Sequence, residues 1–161
     1  MSIRRALIGL GSNLGDRRAN LFDAAASLAD EPDLKLLALS RFYENPAVGL
    51  AAGSGDFLNA CALLSTGLGI GELGRRLAVV EEAHGRDEDR RRGDGARRLD
   101  LDLLYLGGLI GEEGGYIVPH PRLRLRAFVL EPACEIAPCL CDPRDGRTVL
   151  QLWRRLRRRL S

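Results

Sequence analysis

Residues 98–104, Arg-Leu-Asp-Leu-Asp-Leu-Leu, alternate apolar and acidic side chains with a period of two. Successive side chains on a strand point to opposite faces, so Leu99, Leu101 and Leu103 share one face and Asp100 and Asp102 the other. Such a strand fits only a sheet with a core against one side and something polar against the other. The two aspartates stand about 7 Å apart at Cα. Unpaired, they repel and raise each other's pKa. A divalent cation relieves that conflict, and Mg2+ favours one or two carboxylates completed by phosphate oxygens and water. Two such ions can bridge the aspartates to a polyphosphate. The same pattern also suits an exposed sheet edge with its aspartates paired to arginines, and spacing alone does not choose between the two.

The preceding run favours the first reading. Residues 86–97 offer Arg86, Arg90, Arg91, Arg92 and Arg97 within reach of the strand. Guanidinium forks bind phosphate oxygens bidentately. Carboxylate-held cations together with arginines are recurrent equipment for phosphoryl transfer. The run carries almost no apolar side chain to bury, so it is read as a loop.

The remaining elements follow from periodicity and breakers. Residues 3–10 predict a buried strand, 16–29 a helix, 34–43 a second strand and 57–65 a third. Residues 70–84 predict a second helix stopped by Gly85, and 98–106 the fourth strand. The stretch 44–56, rich in glycine and small residues, is a loop long enough to suggest function. A short strand at 117–118, a helix at 127–136 with Pro132 awkwardly inside it, and an amphipathic helix at 148–160 complete the chain. The order strand, helix, strand, strand, helix, strand is the ferredoxin-like βαββαβ arrangement of the α+β class. It predicts an antiparallel sheet with helices on one face and extra C-terminal helices. The 161 residues suit a single domain, 1–161.

Composition narrows the function classes. The net charge is +2 and aromatic residues make up 5%, which argues against a nucleic-acid partner and against an RNA-binding ferredoxin-like module. No run of eighteen apolar residues suggests a membrane span and no signal-peptide pattern opens the sequence, so a cytoplasmic monomer is expected. Cys61, Cys134, Cys139 and Cys141 have poor zinc spacing and are expected to be idle or buried thiols. No P-loop, complete GxGxxG, kinase motif set or hydrolase triad is present.

The pieces Gly11-Ser12-Asn13-Leu14-Gly15, Phe42-Tyr43-Glu44-Asn45-Pro46, Asp56-Phe57-Leu58-Asn59-Ala60, Gly85-Arg86, Arg97-Arg98-Leu99-Asp100-Leu101-Asp102 and Val118-Pro119-His120-Pro121 together resemble the 6-hydroxymethyl-7,8-dihydropterin pyrophosphokinase family. The resemblance runs from about residue 6 to residue 138. It implies a folate-pathway enzyme with ATP as co-substrate, moving pyrophosphate to the pterin hydroxymethyl group and releasing AMP. It implies two Mg2+ ions on Asp100 and Asp102, with Arg86 and Arg97 assisting transfer. Glu81, Arg86, Arg97, His120 and Arg126 match nucleotide contacts. Val48, Gly49, Phe57, Asn59 and Phe128 match the pterin pocket. Glu88, Asp94, Ala96, Arg98 and Pro121 depart from the family's usual residues, as does Ala47. A divergent paralogue with an altered pterin substrate, or a non-catalytic pterin- or nucleotide-binding module, is the alternative.

Overall fold

The computed structural model describes residues 2–46 and 56–161. Four strands build the main sheet: β1 (Arg4–Ser12), β2 (Leu34–Leu39), β4 (Phe57–Thr66) and β5 (Asp100–Leu106), with the short β3 (Tyr43–Asn45) alongside β4. The spatial order is β2-β4-β1-β5, with β3 also on β4, and every pairing is antiparallel. This is the expected ferredoxin-like topology.

Helices α1 (Arg17–Asp30) and α2 (Ile70–Ala83) cover one face. There Ile8, Leu10, Leu101 and Leu103 meet Leu21, Leu28, Leu73 and Leu77 in one buried cluster. Leu99 belongs to the same cluster, as the alternation of residues 98–104 requires. The C-terminal helices do not stand apart from the sheet. Helices α4 (Ala127–Ile136) and α5 (Val149–Leu160) close the second face over Leu7, Cys61, Leu63 and Leu104. The expectation of helices on one face is therefore corrected to two layers. Covering both faces explains why β1 and β4 read as near-continuous apolar runs rather than alternating ones.

Other expectations shift at the level of elements. The single strand foreseen at 34–43 is two pieces, because at Ser40 the side chain takes over half of the pairing with Cys61. The Ser40 N–H donates to the Cys61 carbonyl at 2.9 Å, and its Oγ accepts from the Cys61 N–H at 2.9 Å. The strand foreseen at 117–118 belongs to a hairpin, β6 (Gly111–Glu113) with β7 (Tyr116–Val118). The polar run at 86–97 is not all loop: Arg86–Arg92 form α3. Pro132 lies beyond the first turn of α4, where it is buried.

Candidate active site

The site grows from the register of the central strand. Gly11 pairs with Asn59 on β4 and with Asp100 on β5, and Gly9 pairs with Asp102. Cross-strand partners share a face, so Asn59, Asp100 and Asp102 rise from one side of the sheet across two residues that raise nothing. A Cβ at Gly11 would come within 3.0 Å of the Asn59 amide nitrogen and 3.5 Å of the Phe57 ring. The glycines thus keep open a floor that any side chain would fill. Phe57, two residues before Asn59, lies on the same face, opposite Asn45. Arg126 and Phe128, at the start of α4, close the far side of a cavity of about 220 Å³ whose walls also include Arg97, Asp100 and Asp102.

Phe57, Asn59 and Phe128, three of the residues that the resemblance matches to a pterin pocket, line this cavity together. Asn59 is buried, and its Oδ1 accepts from the Asn45 amide at 3.0 Å. That bond fixes which end of each amide is turned toward its neighbour. Phe128 is 37% exposed, and the Arg126 guanidinium lies 5.5 Å from its ring centre. Val48 and Gly49 lie outside the described residues, as does most of the loop foreseen at 44–56.

Three arginines converge on the two carboxylates. Asp100 Oδ1 accepts from Arg86 at 3.2 Å and from Arg97 at 3.1 Å. Arg126 stands 3.6 Å from Asp102 Oδ2. Burial pushes the Asp102 carboxyl up to about 6 and the charge of Asp100 adds to it, against Arg126, Arg97 and Arg86. Glu81, on α2, reaches under β5 to accept the Leu101 N–H at 2.9 Å and lies 3.7 Å from Arg86. Burial pushes its carboxyl up to about 7, although the Leu101 N–H and Arg86 oppose the rise. His120 follows the cis Val118–Pro119 bond. Its N–H donates to the Leu104 carbonyl at 2.9 Å and its Nδ1 accepts from the Arg122 N–H at 3.1 Å, leaving the proton on Nε2. Burial lowers its pKa, and Arg126 and Arg122 lower it further.

A second hollow of about 410 Å³, walled by Asp102, Tyr116, His120, Arg122 and Arg126, adjoins the first and shares Asp102 and Arg126 with it. One recess is therefore aromatic and amide-lined, the other basic, and a carboxylate marks their junction.

The donor set suits a divalent cation that arrives with phosphate. Among the described residues no group of three or more His, Cys, Asp or Glu side chains is placed to hold a metal. The chain supplies two hard oxygen donors on one face, and Mg2+ completes such a set from phosphate and water. An ion there would share the two carboxylates with Arg86, Arg97 and Arg126.

Two residues with a structural part in the site carried no assigned role in the sequence reading. Asn13 holds Arg97 from both sides: the Arg97 N–H donates to Asn13 Oδ1 at 2.6 Å, and the Asn13 N–H to the Arg97 carbonyl at 2.9 Å. Asn45 orients Asn59. Both lie in motifs quoted above, so the signal was present, but no spacing rule links an asparagine at 13 to an arginine at 97.

A ferredoxin-like sheet with two carboxylates and three arginines around one cleft is the equipment of a phosphate-transfer enzyme. Comparison with known proteins narrows that class. Residues 7–138 match the model of the 7,8-dihydro-6-hydroxymethylpterin-pyrophosphokinase (HPPK) family, and the chain belongs to that family. It is 40% identical over 153 residues to the 2-amino-4-hydroxy-6-hydroxymethyldihydropteridine pyrophosphokinase of Methylorubrum extorquens, covering 94% of this chain and 93% of that one. The Synechocystis protein of the same name is 38% identical over 147 residues, 91% of this chain and 73% of the relative. Among solved structures, an HPPK-DHPS in complex with substrates superposes with a TM-score of 0.74 at 11% identity. That match covers 99% of this chain and 44% of the other, so the chain spans less than half of that structure. At such low identity the likeness speaks for the fold alone.

Proposed function

We propose that the chain transfers pyrophosphate from ATP to the hydroxymethyl group of 6-hydroxymethyl-7,8-dihydropterin, releasing AMP. The observation that carries this reading is the pair of adjoining recesses with Asp102 and Arg126 at their junction. Family membership supports the same assignment.

The aromatic recess suits a flat, polar heterocycle: Phe57 and Phe128 offer ring faces, and the Asn59 amide offers a fixed donor and acceptor. The basic hollow suits a triphosphate, with Arg126 and His120 on its wall and Arg86 and Arg97 reaching the carboxylates from beside it. The substrate hydroxyl oxygen attacks the β-phosphorus, and the bond from that phosphorus to the oxygen bridging to the α-phosphate breaks. AMP leaves with that oxygen, and the hydroxyl proton passes to solvent. Two Mg2+ ions held by Asp100 and Asp102 would, when bound, neutralise triphosphate charge and draw electron density from the β-phosphorus. The arginines balance charge on the moving group. The rest of the work is alignment of alcohol, phosphorus and leaving oxygen.

Action as a monomer, in the cytoplasm, belongs to the same proposal. The non-catalytic alternative shares the pairing of Arg86 and Arg97 with Asp100, and product formation separates the two.

Identification of the nucleotide product tests the reading. Incubation with Mg2+, ATP and the dihydropterin alcohol is expected to give AMP and the pterin diphosphate. ADP would mean attack at the γ-phosphorus and would overturn the assignment. Asp100→Asn and Asp102→Asn are each expected to lower kcat by about 100-fold or more with the fold intact. Unchanged turnover in either would remove it from the metal set.

A further inference from the structure

Helix α3 has seven residues, Arg-Asp-Glu-Asp-Arg-Arg-Arg, and Asp89 is its only buried side chain. A helix this short does not hold its shape in water alone. Its exposed i,i+3 pair, Asp87 with Arg90, contributes no more than about 0.5 kcal/mol. What fixes its place is Asp89 against Arg98, the residue that follows Arg97. The Asp89 Oδ2 accepts the Arg98 N–H at 2.9 Å, and Oδ1 accepts Arg98 Nε at 3.1 Å and Arg92 at 2.8 Å. The other end of the Arg98 guanidinium donates to the Gly85 carbonyl at 3.2 Å and to Glu88 at 2.7 Å. It lies so close over Gly85, which sits at φ 86°, that a Cβ there would collide with it. Arg98 thus ties the residue before α3, the middle of α3 and the lead into β5 at one point. The two arginines that meet at Asp100 flank this tie: Arg86 opens α3, and Arg97 precedes Arg98.

We propose that Asp89 and Arg98 are a positioning pair that presents Arg86 and Arg97 together at the transfer site; this rests on the function proposed above. Neither residue of the pair lines either recess. Glu88 is 70% exposed and adds little to the tie. The pair sets the placement of the two guanidinium groups that meet at Asp100.

The test uses Arg98→Ala, Asp89→Asn and Arg98→Lys in the whole protein, with rates and amide hydrogen exchange measured on each. Arg98→Ala and Asp89→Asn are expected to lower kcat by roughly 10- to 100-fold, with the KM for the pterin within about two-fold. Arg98→Lys keeps the charge but not the fork, so its rate is expected to fall between. A role exerted through Arg97 predicts non-additivity: Arg98→Ala in an Arg97→Ala background should cost much less than in the wild type. Exchange at residues 86–92 is expected to rise about ten-fold or more in Arg98→Ala while the strands stay protected. Full multiplicativity with Arg97→Ala, or unchanged exchange at 86–92, overturns the proposal. If the wild type forms no AMP the functional reading fails separately, and exchange alone then decides whether the tie exists.

Discussion

At the scale of single residues, the ionisable groups fall into two kinds. Asp100 and Asp102 line a cavity and share three arginines at 3.1–3.6 Å, whereas Asp142 is fully buried and fully engaged. It accepts from the Tyr105 hydroxyl at 2.7 Å, from Arg144 at 2.6 and 2.9 Å, and from Arg124 at 3.2 Å. Burial alone would push its carboxyl up. The Arg144 guanidinium, the Tyr105 hydroxyl, the Arg144 N–H and Arg124 outweigh burial and hold it well below the ordinary value of 3.8. Because the folded pKa lies below the unfolded one, this contribution is complete above about pH 4–5 and is lost as pH falls through and below that range. Asp142→Asn is therefore expected to cost about 3 kcal/mol near neutrality and to flatten the acid limb of the stability curve, as read by denaturant melts from pH 6 to pH 2. Little of this was legible in the sequence: Arg144 is two residues from Asp142, but Tyr105 and Arg124 lie 37 and 18 residues away. The carboxylate pair was legible, because period-two alternation by itself assigns Asp100 and Asp102 to a common face. Asn13 was not, because its partner is a backbone brought close only by folding.

At the scale of elements, α3 shows how a sequence signal can be present and still be misread. With no apolar stripe, residues 86–97 offered no periodicity and were read as loop. Yet acids fill its first turn and arginines its last, the order that a helix macrodipole rewards. The break at Ser40 was hidden for another reason: a serine substituting for ladder bonds leaves hydropathy unchanged. The β6–β7 hairpin was only half seen, since its role is to pack on α2. There Gly74 lies so close to the Tyr116 ring that a Cβ would collide with it. Helix propensity alone predicts that Gly74→Ala gains up to about 1 kcal/mol. Overpacking predicts the opposite, a loss of about 1–3 kcal/mol. The contact geometry decides for the loss, and a lowered Tm in Gly74→Ala would confirm it.

At the scale of the whole molecule, the element order was enough to give the topology, but the second helical layer was not foreseen. Helices α4 and α5 look like appendages in the sequence, yet they bury Leu7, Cys61, Leu63 and Leu104 against Val129, Leu130, Val149 and Leu152. Strand β1 contributes Ile8 and Leu10 to one core and Leu7 to the other. The two cores should therefore melt together. A single calorimetric transition is expected, and removing α5 should lower it as a whole rather than split it in two. No helix among the described residues is long and apolar enough to cross a membrane.

The carboxylate strand is gripped from opposite directions, by Glu81 of one helical layer on the Leu101 amide and by Arg126 of the other on Asp102. A repacking on either side of the sheet shifts one grip relative to the other. Substitutions deep in the hydrophobic interior, far from any ligand, should thus be felt as changes in turnover before they are felt as loss of structure.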